Sequence, residues 1–405
     1  MSTKKIPYQW VIVGTLWVSH AVYFLNYMTV GTLAPLIRGE LRLSSAEIGL
    51  LCSAVTIGSM ASQIPAGILS DSLGAKRVMV TGLLMLGCAT VTICFVRSYW
   101  SMFLLLVVVG LGIGANQTPG SKAIVMWFPL KGRATAMGIK QTGVAMGGML
   151  ASFSLPALVL YFNSWRSGFL VAGLASLASA VLVLALYQEA GPRSVESPRP
   201  STLWTPKTLR IFFDKDFLLL SAAGIFLMIV QFSFTAHFVL YATSILQVPV
   251  DKAGFLLGLS FMAGISGRIG WSISSDYLFR ARRKIVLTWI GALGALVLAG
   301  FVPLSASGSR ATAYIMSVLF GAIGLGWNAL YLTAVGEFPG KALAGIANGV
   351  NFVIVNIGAI VGPPLFGYIV DRTGGYGESW LFTSLCMAAV AFLSLIQRKE
   401  RLATQ

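Results

Sequence analysis

The chain has 405 residues, of which 56% are hydrophobic and only 10% charged. A soluble domain carries about 25% charged residues, so the composition excludes a soluble enzyme or binding module. The formal net charge of +16 does not point to nucleic acid, because most cations fall in short loops between long apolar runs, where they set membrane orientation.

Apolar runs recur from Tyr8 to Ile396. A helix needs about 20 residues to cross the hydrocarbon layer, and only helices or closed barrels satisfy their backbone there. These runs are too long and too uniformly apolar for barrel strands of about ten alternating residues. The expected class is therefore an all-α membrane protein. The opening "MSTKKIPYQW" is basic and leads straight into a span without a small-residue cleavage site, so the first helix is read as retained. Twelve spans follow in order, at 8–36, 45–70, 78–96, 100–127, 134–162, 167–188, 216–246, 252–276, 285–304, 311–336, 342–370 and 378–397. The Pro- and Ser-rich stretch 189–215 reads as a cytoplasmic linker between a six-helix half at 1–188 and another at 216–405. With the N-terminus in the cytoplasm, inner segments hold 19 Lys and Arg against seven outside, which favours both termini inside. Cys52, Cys88, Cys94 and Cys386 sit in apolar spans without metal-type spacing and read as small core residues.

The halves echo each other. "IPAGILSDSLGAKRVMV" closes the second span and "RIGWSISSDYLFRARRKIV" the eighth, so Asp71 aligns with Asp276 and Gln63 with Arg268. "WFPLKGRATAMG" after the fourth span resembles "EFPGKALAGIANG" after the tenth. Repeated halves with a site at their interface are a transporter architecture.

The stretch "GILSDSLGAKR" resembles the G-x-x-x-D-x-x-G-x-[RK]-[RK] loop of the major facilitator superfamily, and the resemblance extends over essentially the whole chain. It implies the major facilitator fold, twelve transmembrane helices in two pseudo-symmetric halves, and alternating access by a secondary transporter. It also implies that Gly67 packs closely, that Asp71 caps and pairs, and that Lys76 and Arg77 bind carboxylates or lipid headgroups, with Gly74, the motif's second glycine, among the gating residues. The second copy keeps Asp276 and the basic cluster Arg280, Arg282, Arg283 and Lys284 but has Ser272 and Phe279 at the two glycine positions, so a differently shaped loop is expected there.

All thirteen acidic residues fall in loops or at span ends, whereas Lys122, Lys140 and Arg268 lie inside spans. Lys122 and Lys140 are close enough to the cytoplasmic ends for their stems to snorkel. Arg268 is about 12 Å inside Asp276 at 1.5 Å per residue, beyond that reach. A helix-centre arginine costs about 2.5–3.5 kcal/mol on the insertion scale. Its planar fork suits a carboxylate, so a substrate anion is one reading and a structural hydrogen bond the other. Family members that carry anions resemble this chain in placing an arginine in helix 8. Nitrate carriers add one in helix 2, where this chain has Gln63, which argues against nitrate.

By the same resemblance, helices 1, 4, 7 and 10 line the central cavity. Their candidate substrate contacts are His20, Tyr23, Asn26 and Tyr27; Asn116 and Gln117; His237 and Tyr241, with Gln231; and Asn328 and Tyr331. Lys140 joins them because Gln141 and Thr142 adjoin it in "GIKQTGV". Each is either a ligand or a helix–helix hydrogen bond. Gly143, Gly147 and Ala151, and Gly358 with Gly362, read as close-packing faces.

His20 and His237 could carry a coupling proton or be satisfied core residues. The expectation is a non-enzymatic transporter of a small organic anion, a monocarboxylate, dicarboxylate or sugar acid, working by proton-coupled symport or by anion exchange. The alternative is efflux of amphipathic compounds. The expected setting is a bacterial inner membrane, with lipid as neighbour and a monomer as the working form. Nothing in the sequence requires a metal, nucleotide or redox cofactor.

Overall fold

A computed structural model of the protein describes residues 8–128, 130–189, 212–307, 310–339 and 343–397. Most of the linker expected at 189–215 lies outside the described residues. The apolar runs form α1 (Tyr8–Leu41), α2 (Ser45–Ser72), α3 (Ala75–Ile93), α4 (Tyr99–Trp127), α5 (Leu130–Phe162) and α6 (Arg166–Leu186). They continue as α7 (Lys215–Ser244), α8 (Val250–Ile273), α9 (Arg283–Ser307), α10 (Arg310–Gly324), α11 (Asn328–Glu337), α12 (Ala344–Thr373) and α13 (Gly377–Ile396). Twelve stretches are long and apolar enough to cross a membrane, with α10 and α11 together making the tenth, Ala311–Glu337. The protein is an integral membrane protein of twelve transmembrane helices.

The tenth span departs from the sequence expectation of one continuous helix over 311–336. Leu325–Trp327 is not helical, and the chain crosses as two half-helices. Gly324 and Gly326 flank Leu325, and glycine costs about 1 kcal/mol relative to alanine inside a helix.

The chain divides into two compact units, Met1–Arg42 with Leu51–Val195, and Leu43–Leu50 with Glu196–Gln405. Lipid tails are as apolar as leucine, so close packing between helices rests on van der Waals contact and small residues. In the first unit α1 packs on α5. A Cβ on Gly143 would stand 2.6 Å from the Trp17 carbonyl oxygen, and one on Gly147 would stand 2.1 Å from that of Ala21. In the second unit α7 packs on α12 in the same way, with a Cβ on Gly358 meeting the Ile225 oxygen at 2.2 Å. There, α8 also lies hard against α10, where a Cβ on Gly267 would be 2.0 Å from the Ala322 oxygen.

The start of α2 belongs to the second unit, and every leading donor there has a partner. Ser44 and Glu47 form a reciprocal capping box, Ser44 N donating to Glu47 Oε2 at 2.8 Å and Glu47 N to Ser44 Oγ at 3.2 Å. The Asp371 carboxylate accepts from Ser45 N at 2.9 Å and Ala46 N at 2.8 Å.

The loops after α2 and α8 are built differently. The first turns on Gly74, whose φ of 87° suits glycine. The second has no glycine and turns through a π-helical stretch, Ser274–Leu278, and two left-handed residues, Arg280 (φ 52°) and Ala281 (φ 60°). An L-residue in that region costs about 1–2 kcal/mol. Ala281→Gly is therefore expected to stabilise the protein by about 0.5–1 kcal/mol, once glycine's entropy is subtracted, read as a rise in melting temperature.

Candidate functional site

The break in the tenth span is held by two side chains of α8. The last bond of α10 runs from Leu325 N to Gly321 O at 3.1 Å, and the first of α11 from Tyr331 N to Trp327 O at 3.1 Å. Trp271 Nε1 donates to the Ala322 carbonyl at 3.0 Å, and Arg268 Nε donates to the Leu325 carbonyl at 3.3 Å. Irregular backbone at membrane depth persists only where protein or a water-lined cavity satisfies it. Arg268 and Trp271, three residues apart on one helix face, do this for two carbonyls at once.

Arg268 lies ten residues before the end of its span at Leu278, about 15 Å along the helix axis. No ion pair among the described residues includes it, and its Nη1 and Nη2 make no hydrogen bond to any of them. The half-buried guanidinium thus keeps both ends of its fork unspent.

Three residues beyond Leu325, α11 begins at Asn328, whose amide donates to Gln231 Oε1 of α7 at 3.0 Å. The N–H groups of Asn328, Ala329 and Leu330 precede the first intrahelical bond and form the positive end of a half-helix near the middle of the span. Behind them, buried Trp327 and Tyr331 meet edge to face at 5.2 Å. A cation with a free fork beside a helix N-terminus suits a carboxylate or sulfonate.

The other second-unit candidates are held elsewhere. The Tyr331 hydroxyl donates to Asn351 Oδ1 at 2.9 Å, and Asn351 Nδ2 to Ser221 Oγ at 2.8 Å, tying α11, α12 and α7 together. His237 Nε2 donates to the Pro363 carbonyl at 2.9 Å, and its ring stacks on Phe366. Tyr241 is fully buried among Phe301, Tyr376 and Trp380.

In the first unit, α1, α4 and α5 bring His20, Tyr23, Asn116 and Lys140 into one buried group. Lys140 Nζ donates to Ser121 Oγ at 2.6 Å, and Ser121 in turn donates to the Gln117 carbonyl at 3.0 Å. His20 Nδ1 donates to Leu16 O at 3.0 Å, and its ring meets that of Tyr23 at 4.9 Å. Asn116 Nδ2 reaches Ser19 Oγ at 3.5 Å. Tyr27 bonds to Thr56 and stacks on Phe24. Asn26 lies apart from this group, donating to Ala172 O and Ser176 Oγ and accepting from Thr90.

The loop motifs after α2 and α8 each have partners within their own unit. Asp71 pairs with Lys122, which also donates to Ser70 O at 3.0 Å, and Glu189 accepts from Lys76 N at 2.7 Å beside Gly74. Arg77 is exposed, and a Cβ on Gly67 would meet only Thr118 Cγ2, at an ordinary 3.5 Å. Arg283 pairs with Asp276 and, through Nε and Nη2, with Glu337, each at 3.3 Å; Arg280 is exposed. The sequence reading did not find Trp271 or Ser121. Their signals are a tryptophan one turn from the half-buried arginine and a hydroxyl nineteen residues from Lys140.

The family model described as Major Facilitator Superfamily matches residues 16–363. This chain belongs to the major facilitator superfamily. It is a transporter, not an enzyme. A relative named a probable sulfoacetate transporter, from Cupriavidus necator, is 25% identical over 97% of this chain and 94% of its own length. The hexuronate transporter of Bacillus subtilis is 24% identical over 98% of this major facilitator protein and 95% of its own length. Among solved structures, an inward-facing, occupied bacterial homologue of the human lysosomal transporter Spinster shares the fold with a TM-score of 0.80, at 18% identity over 97% of both chains.

Proposed function

We propose that this protein is a secondary active transporter that carries a small organic anion by alternating access, with Arg268 as the anchor of the substrate. The observation that carries this reading is the Arg268 guanidinium, held by one bond to the broken tenth span while Nη1 and Nη2 have no protein partner among the described residues. A carboxylate or sulfonate would take both in bidentate fashion, with the α11 N-terminus and the Asn328–Gln231 amides beside it. Relatives named for sulfoacetate and hexuronate support the same class of cargo. Neutralising Arg268 by the anion removes the penalty of a bare membrane-depth cation, and so couples occupancy to the passage of the site across the membrane.

In this reading the halves at 1–188 and 216–405 move about the site, and the Asp71 and Asp276 clusters act as cytoplasmic clasps. The protein works as a monomer in a bacterial inner membrane, with both termini in the cytoplasm. The energy source is a co-transported proton or a counter-anion.

Counterflow in proteoliposomes tests the cargo class. Labelled glucuronate or sulfoacetate is expected to enter vesicles preloaded with the unlabelled compound, with competition from small organic anions and none from glucose. Export of a cationic dye without anion counterflow would overturn the reading in favour of efflux.

A further inference from the structure

The buried group around Lys140 has no part in the anion site described above, and its construction is unusual. Lys140 is 0% exposed, and no ion pair among the described residues includes it. Its only hydrogen-bond partner among them is the neutral hydroxyl of Ser121. His20 is wedged in beside it: a Cβ on Gly120 would approach His20 Cε1 at 3.3 Å, and one on Gly143, a turn after Lys140, would approach His20 Cβ at 3.1 Å. His20 Nε2 and Asn116 Oδ1 are both buried without a hydrogen-bond partner. Two acceptor atoms and one amine nitrogen are thus enclosed together with no counter-charge among the described residues.

A structural lysine in hydrocarbon is normally paired or snorkels to the interface, and this one does neither. A substrate anion does not fit the observation either, since Lys140, His20 and Asn116 are all fully enclosed. The one transported species that needs no open cavity is a proton.

We infer that the Lys140–His20 cluster binds the proton that accompanies the anion, so that the protein works as a symporter. This rests on the anion-transport reading above. The proton forms an N–H bond at the lone pair of Lys140 Nζ and leaves by breaking the same bond on the opposite side of the membrane. Ser121 serves both forms. With Lys140 as ammonium, Nζ donates to Ser121 Oγ while the hydroxyl proton points to Gln117 O; with Lys140 as amine, the hydroxyl rotates and donates to Nζ. His20, held by Leu16 O through Nδ1–H, offers Nε2 as the neighbouring acceptor through which the proton enters or leaves.

The titratable groups facing the cluster are few. From α1 they are His20 and Tyr23. From α4, the neighbouring Lys122 is committed to Asp71. The only charged residue of α6, Arg166, is committed to Glu40.

The test compares wild type, Lys140→Met, Lys140→Gln and His20→Gln in proteoliposomes containing pyranine, with glucuronate and sulfoacetate as probes. Wild type is expected to acidify the lumen as the anion enters, with about one proton per anion, and to accumulate a monoanion up to about tenfold under an inward proton gradient of about one pH unit. The Lys140 variants are expected to keep counterflow within about threefold but to lose acidification and accumulation. Undiminished coupling in both Lys140 variants would overturn the inference and return the lysine to packing. Loss of counterflow with a raised Kd would also overturn it, making Lys140 a substrate ligand. Should wild type carry neither probe, the cargo reading fails instead, and a substrate-free arm still decides the proton site. The difference in melting temperature between wild type and Lys140→Met must change between about pH 6 and pH 9. A constant difference would rule out a titrating cluster.

Discussion

Replacing Arg268 by alanine is expected to weaken anion binding about 100-fold and to reduce transport at sub-saturating substrate by a similar factor. Truncating one partner of a buried, hydrogen-bonded charge pair costs 2–5 kcal/mol, and about 2.7 kcal/mol corresponds to 100-fold. Alanine also strips the Leu325 carbonyl of its donor, at a cost of about 1–3 kcal/mol to the break itself. Arg268→Lys separates the two effects. It keeps a positive charge at the site but loses the planar fork, so it is expected to retain weak binding with a much shorter residence time. Binding measured by titration and folding measured by melting temperature should therefore part company in the lysine variant. A purely structural arginine would move both together.

The second large effect concerns packing. Gly147→Ala is expected to destabilise the protein by about 3 kcal/mol, with a melting temperature lower by several degrees. The added methyl would stand 2.1 Å from the Ala21 carbonyl oxygen, and both the obstacle and the attachment are backbone. Neither can yield by a rotamer change, so α1 and α5 must separate, an overpacking cost at the upper end of the usual range. Gly138→Ala on the same helix is the control. Nothing stands within 4 Å of its added methyl, so the alanine is expected to gain up to about 1 kcal/mol of helix propensity. Opposite signs for the same substitution nine residues apart would isolate close approach as the cause.

Much of this architecture was readable before any coordinates. The run lengths predicted twelve spans, because hydrocarbon thickness fixes how many apolar residues a helix needs. Arg268 stood out because a cation without an acidic neighbour is costly anywhere along a span. The break beside it was not readable by the same logic. "SVLFGAIGLGWNALYLTAVG" is continuously apolar, and hydropathy does not distinguish one helix from two half-helices. The clue is in "GLGWN", two glycines within four residues of an asparagine, but glycine is common in membrane helices and carries little weight alone. Lys140 illustrates a different limit. Its distance from the span end allows snorkelling, whereas Ser121 and the enclosing face of α1 depend on how three helices pack. In the sequence, His237, Asn26 and Tyr331 stand out as polar residues within apolar spans. Their partners, Pro363 O, Ala172 O with Ser176, and Asn351, come from helices distant in sequence.

Docking of a carboxylate on Arg268 is decided by the binding of a matched pair. Glucuronate and glucose differ at one carbon, a carboxylate in one and an alcohol in the other. Thermal stabilisation of the purified protein by each should be measured on wild type and on Arg268→Lys. Glucuronate, and not glucose, is expected to stabilise wild type, and the preference is expected to shrink by at least about tenfold in the lysine variant. Equal stabilisation by both sugars, or a preference for glucuronate untouched by the substitution, would contradict docking on Arg268.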